Sequence, residues 1–152
     1  MKKEALALTN AFFRYLETER RYSQNTIKSY QRDLKHFSRH LQVKKLSRWA
    51  EVKPHHIKTY ASQIFIEGLG AKSIQRRLSA IRSFMNYLLR EGMIKNNPAE
   101  GVKTPKAPKK LPGILDIEQI NQLLNIQETD PVSLRDKAIM ELIYSSGLRL
   151  SE

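Results

Sequence analysis

The chain has 152 residues, enough for one ordinary domain or for a small domain beside part of a second, and 40% of them are hydrophobic, so a core can form. It contains no cysteine, which excludes disulfides, cysteine metal sites and thiol nucleophiles and suits a reducing, cytoplasmic setting. Lysine and arginine outnumber aspartate and glutamate 27 to 15, a net charge of +12; no apolar stretch approaches the ~18 residues of a membrane span, and residues 1–5 do not read as a signal peptide.

Taken in chain order, residues 4–20 place Ala5, Leu8, Phe12 and Leu16 on one face of a first helix. Ser23 is a suitable N-cap for a second, running to Leu41. Pro54 suits the first turn of a third, which carries Ile57, Tyr60, Ala61 and Ile64 and ends at Gly68 and Gly70. A fourth opens at Lys72 or Ser73 and runs to Arg90, with Gly92 behind it. Residues 96–113 hold four of the six prolines (Pro98, Pro105, Pro108, Pro112) and four lysines, which forbids a continuous helix and favours an extended interdomain linker. Beyond it, Asp116 caps a helix through Ile117, Ile120, Leu123 and Leu124, and Ser133 or Pro131 opens another that ends near Tyr144. Strand signals are weak throughout, so the expected fold is all-α, with domains at 1–95 and 114–152.

The charge is unevenly spread. Residues 1–95 carry 20 basic and 7 acidic side chains, residues 96–113 carry 4 and 1, and residues 114–152 carry 3 and 7. A basic excess confined to the first two segments points to a polyanion, most often nucleic acid.

Two helices carry that charge in a directed way. In the second, Ile27, Tyr30, Leu34, Phe37 and Leu41 form an apolar stripe. Lys28, Arg32, Lys35 and Arg39 form a narrower stripe nearly opposite, and Asp33 projects to neither. Aligned cations repel one another, whereas an ordinary solvated face mixes signs, so the stripe reads as a phosphate contact. In the fourth helix Ile74, Leu78, Ile81, Met85 and Leu88 form the core stripe. Lys72, Ser73, Gln75, Arg76, Ser79, Arg82 and Ser83 occupy the rest, with Arg77 at the flank. Long arginines and a glutamine reach base edges while serines allow close approach, so this helix is expected deepest in a duplex groove.

Other conspicuous residues read as structural. His36, His40, His55 and His56 lack a companion set at metal-ligand spacing. Trp49 is expected to anchor the bundle near its second connection, and Phe12, Phe13, Phe65 and Phe84 to fill the core. No phosphate-cradling glycine loop or nucleotide motif occurs, so no small-molecule substrate is expected.

The stretch Leu78-Ser79-Ala80-Ile81-Arg82-Ser83-Phe84, then Asn97-Pro98, then Pro105-Lys106-Ala107-Pro108-Lys109-Lys110-Leu111-Pro112, resembles the amino-terminal half of the Xer-type tyrosine recombinases. Leu134-Arg135-Asp136-Lys137-Ala138 and Gly147-Leu148-Arg149-Leu150-Ser151-Glu152 continue the likeness over essentially the whole chain. The linker and the stretch Asn121-Gln122-Leu123-Leu124 resemble the XerC branch more than the XerD branch.

The resemblance implies a four- to five-helix core-binding (SAM-like) bundle, a Pro/Lys linker, and the first helices of a truncated catalytic domain. It implies a clamp around double-stranded DNA at a dif-like recombination site and a heterotetramer with a second, XerD-like recombinase. It also implies activation of that partner by a septal DNA translocase, and a role in resolving chromosome dimers at cell division. The family chemistry is attack of a tyrosine on a backbone phosphate, giving a 3′-phosphotyrosine, without ATP, metal or other cofactor. Arg149 matches the first catalytic arginine, whose fork suits bidentate phosphate binding. The family's lysine, its His-x-x-Arg pair, its later His or Trp and its nucleophile have no counterpart up to Glu152. Tyr144 precedes Arg149 and reads as helix packing. The polypeptide is therefore expected to bind DNA without cleaving it. The competing readings are a standalone, non-catalytic DNA-binding or accessory protein built on the same bundle, and a protein–protein module.

Overall fold

A computed structural model describes residues 3–106, 113–127, 130–147 and 149. The described residues form six helices and no strand: α1 (Lys3–Thr18), α2 (Gln24–Val43), α3 (Pro54–Ile66), α4 (Ala71–Arg90), α5 (Ile117–Leu124) and α6 (Pro131–Ser146), with a 3-10 turn at Trp49–Glu51. Two compact units divide the chain, Met1–Pro108 and Lys109–Glu152.

The helix boundaries follow local chemistry. Ser23 Oγ accepts from the Thr26 N–H at 3.3 Å and starts α2. Pro54 occupies the first turn of α3. Behind α3, Gly68 takes φ +83°, a left-handed conformation that lets the next residue turn back, and the Leu69 N–H reaches the Ile64 carbonyl at 3.0 Å. In the second unit Asp116 and Gln119 exchange bonds, each side chain accepting from the other's backbone N–H. Asp130, rather than Ser133, caps α6, accepting from Val132 and Ser133 at 2.7 and 2.9 Å with Pro131 in the first turn.

In the first unit α4 is the central helix and packs on α1, α2 and α3. Beyond its expected stripe it also buries Ala80, Phe84 and Tyr87, so half its circumference is interior. Phe84 meets Phe12 and Trp49 edge-on at 5.2 and 4.8 Å between ring centroids. The Trp49 indole N–H donates to the Ala5 carbonyl at 3.0 Å, so the anchor expected from sequence ties the 3-10 turn to α1. Phe65 departs from expectation: it is 62% exposed. The buried positions of α3 are Ile57, Tyr60 and Ile64, and Phe65, one residue past Ile64, is rotated about 100° off that stripe.

The segment from 96 was expected to leave the bundle as a linker. It is coil, but its first part is docked on α4. Asn97 Nδ2 donates to Asn86 Oδ1 at 2.6 Å, Asn97 Oδ1 accepts from the Ala99 N–H at 2.8 Å, and Ala99 and Val102 are buried. Gln75 Nε2 then holds the Pro105 carbonyl at 2.7 Å. A buried asparagine and two small apolar side chains supply what proline content could not reveal. Residues 107–112, with Pro108, Lys109, Lys110 and Pro112, lie outside the described residues.

A polar seam joins α2, α3 and α4. Asp33 is buried and is bonded by Arg76, with Arg77 Nε 3.7 Å from its second oxygen. Arg77 Nη1 donates to the Tyr60 hydroxyl at 3.2 Å, and that hydroxyl lies 3.0 Å from His36 Nδ1. In the Tyr60–His36 bond either group can be the donor, since the phenol oxygen has a second lone pair beside the one that receives Arg77. Burial, then the Arg77 charge, holds His36 below the usual imidazole range, and burial does the same for His40.

This seam sets a pH dependence. Both imidazoles titrate lower in the fold than in the unfolded chain, where they titrate near ~6.5, so acid protonates the unfolded chain first. The stability they support is complete above that value and is lost as pH falls through their folded values. The thermal midpoint should drop between pH about 7.5 and about 5.5. The double substitution His36→Gln, His40→Gln should flatten that slope in a differential scanning measurement, and an equally steep profile would contradict this account.

Candidate nucleic-acid interface

The four cations of α2 stand where their spacing placed them. Lys28, Arg32, Lys35 and Arg39 are all exposed, and none is paired with a carboxylate among the described residues. Arg32 Nη2 donates to Ser29 Oγ at 3.3 Å, which steadies it along the helix. Asn25, Lys28, Ser29, Gln31, Arg32 and Lys35 line an open depression on this face. Burying Ile27, Leu34, Phe37 and Leu41 on the far side gives the cations their common direction.

On α4 the polar face is narrower than its residue types suggested. One edge is covered by the docked segment: Gln75 holds Pro105, and Arg82 Nη2 donates to the Val102 carbonyl at 3.4 Å. The other edge lies against α2, where Arg76 bonds Asp33 and also donates to the Ser29 carbonyl at 3.4 Å. Lys72 and Arg76 are exposed, while Ser73, Ser79 and Ser83 are half-buried. Arg77, expected at the flank of this face, points inward with 18% of its side chain accessible, committed to Asp33 and Tyr60. It supports the seam, because a guanidinium one residue past Arg76 is turned about 100° toward the α2–α3 side.

Asp33 sits apart from both stripes of α2, as its spacing implied, but its spacing from those stripes did not reveal that it faces two arginines of α4. The signal was present: Ser29, Asp33, His36 and His40 repeat at +4, +3 and +4, a third stripe whose members all contact α3 or α4 or are buried. Burial raises the Asp33 carboxyl from the ordinary aspartate value, against the pull of the Arg76 and Arg77 charges.

In the second unit Gly147 takes φ +63° and closes α6, its N–H reaching the Tyr144 carbonyl at 3.3 Å. Arg149 follows two residues later and is exposed. Leu148, Leu150, Ser151 and Glu152, the rest of the motif, lie outside the described residues. Tyr144 is 55% exposed and lines an apolar groove with Leu115, Ile120, Leu124, Met140 and Ile143. Among the described residues no cluster of three or more His, Cys, Asp or Glu side chains is placed to hold a metal ion. No described helix is long and apolar enough to cross a membrane.

Comparison with known proteins agrees with this architecture. The family model described as phage integrase, N-terminal SAM-like domain, matches residues 9–92. The tyrosine recombinase XerC of Actinobacillus pleuropneumoniae serotype 7 (strain AP76) is 46% identical over 144 residues, covering 95% of this chain and 47% of the relative. XerC of Salmonella typhi is 40% identical over 153 residues, covering 100% of this chain and 51% of the relative. The chain thus spans about half the length of the curated relatives it matches. Among solved structures, a variant Tn1549 transposon integrase in complex with a circular intermediate DNA superposes with a TM-score of 0.65 at 16% identity. That match covers 95% of this chain and 46% of the integrase and shows a shared fold.

The docked segment gives this site a test. Gln75→Ala removes the bond to Pro105 and should release the residues around it, so trypsin should cut after Lys103 and Lys106 severalfold faster while the helical circular dichroism is retained. Unchanged cleavage would mean that Asn97 and Val102 hold the segment without Gln75.

Proposed function

Since the chain belongs to the phage integrase N-terminal SAM-like domain family, we propose that it is the DNA-binding amino-terminal part of a XerC-like tyrosine recombinase. The observation that carries this reading is the exposed stripe of Lys28, Arg32, Lys35 and Arg39 on α2, adjoined through Ser29 by Arg76 of α4. Phosphates of a duplex meet the α2 stripe, which fixes position, while Arg76, Lys72 and the half-buried serines of α4 approach a groove. Ser73, Gln75 and Arg82 border that approach. Arg77 has a structural role.

In the whole protein the reaction is site-specific recombination through a 3′-phosphotyrosine, within a heterotetramer that includes a XerD-like partner on a dif-like site. A septal DNA translocase, chromosome dimer resolution and a cytoplasmic location complete this proposal. The 40% identity to XerC of Salmonella typhi, which covers 100% of this chain and so runs past the SAM-like region through the Arg149 motif, supports it. Arg149 supplies one of the charges that neutralise a phosphate during strand transfer. The residues up to Glu152 are proposed to bind without cleaving. The second unit's charge supports this division: residues 114–152 carry 3 basic and 7 acidic side chains, so phosphate affinity resides in the first unit.

Fluorescence anisotropy of a labelled duplex tests the reading. With ~6–10 phosphates neutralised, affinity should fall about 10³- to 10⁵-fold between ~50 and ~200 mM salt. Lys28→Ala and Lys35→Ala should each weaken all duplex sequences alike and lower the salt slope by about one. A flat salt response would exclude phosphate contact as the basis of binding.

A further inference from the structure

The cations of α4 are not equivalent. Arg76 hydrogen-bonds across to α2, and its contacts to Asp33 Oδ2 and to the Ser29 carbonyl both use the single atom Nη1. Neither Nη2 nor Nε takes part in them, and 41% of the side chain remains accessible. The carboxylate that holds it is only 3% accessible and is held in turn by Arg77. Asp33 therefore cannot meet a duplex itself. Ser29, the second acceptor for Arg76, also receives Arg32 on its hydroxyl. Two guanidiniums from different helices thus converge on one turn of α2.

From this we infer that Asp33 is a positioning residue for sequence discrimination: it anchors one corner of the Arg76 guanidinium so that the remaining N–H edge meets a duplex at a fixed angle. The inference rests on the reading that the α2–α4 face binds DNA, and deepens it by separating the residue that selects sequence from those that supply affinity. An arginine on a flexible stem satisfies any nearby phosphate. The same arginine pinned at Nη1 presents a planar fork in one orientation, which is the requirement for bidentate reading of a base edge. A buried carboxylate beneath the cations offsets part of their charge, so Asp33 costs some phosphate affinity and gains direction.

The experiment uses the full 152-residue chain and two duplexes of about 30 base pairs: one selected by the wild-type chain from a randomised pool, and one of the same composition with permuted sequence. The measured quantity is the ratio of their affinities at fixed salt. Asp33→Asn should reduce the ratio about 5- to 100-fold, the range of one bidentate contact, while affinity for the permuted duplex holds or rises. In an Arg76→Ala background the same Asp33→Asn change should alter the ratio less than about twofold, because the group it orients is gone. Arg77→Met, which weakens the seam but spares the Asp33–Arg76 bond, should lower the thermal midpoint and leave the ratio unchanged.

Where Asp33→Asn fails to fold, Arg76→Lys carries the test: it keeps the charge, loses the fork, and should lose the ratio while keeping affinity for the permuted duplex. An Asp33→Asn effect equally large without Arg76, or a full ratio in Arg76→Lys, overturns the inference and leaves the DNA-binding reading standing. Duplex affinity untouched by Lys28→Ala, Lys35→Ala and Arg76→Ala together overturns both.

Discussion

One buried carboxylate sets the arrangement on which the basic face depends. Asp33 lies between α2 and α4 with almost none of its surface in water, so its charge depends on the Arg76 bond, with Arg77 a weaker second partner at 3.7 Å. Removing one partner from such a group typically costs about 3–5 kcal/mol, whereas an apolar contact in the same place would tolerate sliding. The pairing therefore selects one crossing of α2 over α4 from those that the greasy stripes alone would permit. That choice aims Lys28, Arg32, Lys35 and Arg39 and decides which part of α4 lies alongside them.

The exposed stripe runs against local stability. Like charges at +4 and +3 on one helix destabilise it by some tenths of a kcal/mol per pair, and no described acid forms an ion pair with any of these four. Elsewhere the same chain uses acids in the ordinary way. Arg48 pairs with Glu51 at 2.8 Å, and Arg90 with Glu19 and Glu91 at 3.3 and 3.0 Å while resting 3.9 Å over the Tyr15 ring. Other exposed cations of the first unit, among them Arg14, Arg20, Lys44 and Lys58, also lack a carboxylate partner among the described residues; the four on α2 differ in sharing one helix face.

Much of this was legible in the residues. Apolar spacing located six helices to within a few positions, because each stripe must bury one side against the rest. Ser23, Pro54, Gly68 and Asp116 marked ends, because capping chemistry is local. What escaped was tertiary. Asp33 read only as standing apart from both stripes, since nothing within α2 reveals that Arg76 and Arg77 lie opposite. Phe65 read as core because a phenylalanine ordinarily is, although the α3 stripe runs through Ile57, Tyr60 and Ile64. The proline-rich segment read as a linker from residue 96. Composition reports that a segment is not helical, and it is silent on whether Asn97, Ala99 and Val102 find places to dock.

The docked segment and the seam together account for the narrow exposed strip of α4. Gln75 and Arg82, at one edge, donate to the Pro105 and Val102 carbonyls; Arg77 donates to the Tyr60 hydroxyl and sets its charge 3.7 Å from Asp33. Each of these residues looked like a candidate for a base contact when the helix was read alone, because arginine and glutamine serve both purposes equally well. The fold separates the purposes by what lies within reach of each side chain. A helix recruited to face a ligand while half its circumference is interior has few positions left to give. Here they are Lys72, Arg76 and the serines beside them, of which only Arg76 is both exposed and held by a buried charge. On the proposed reading, specificity at such a surface comes from how firmly a small number of donors are aimed rather than from how many there are.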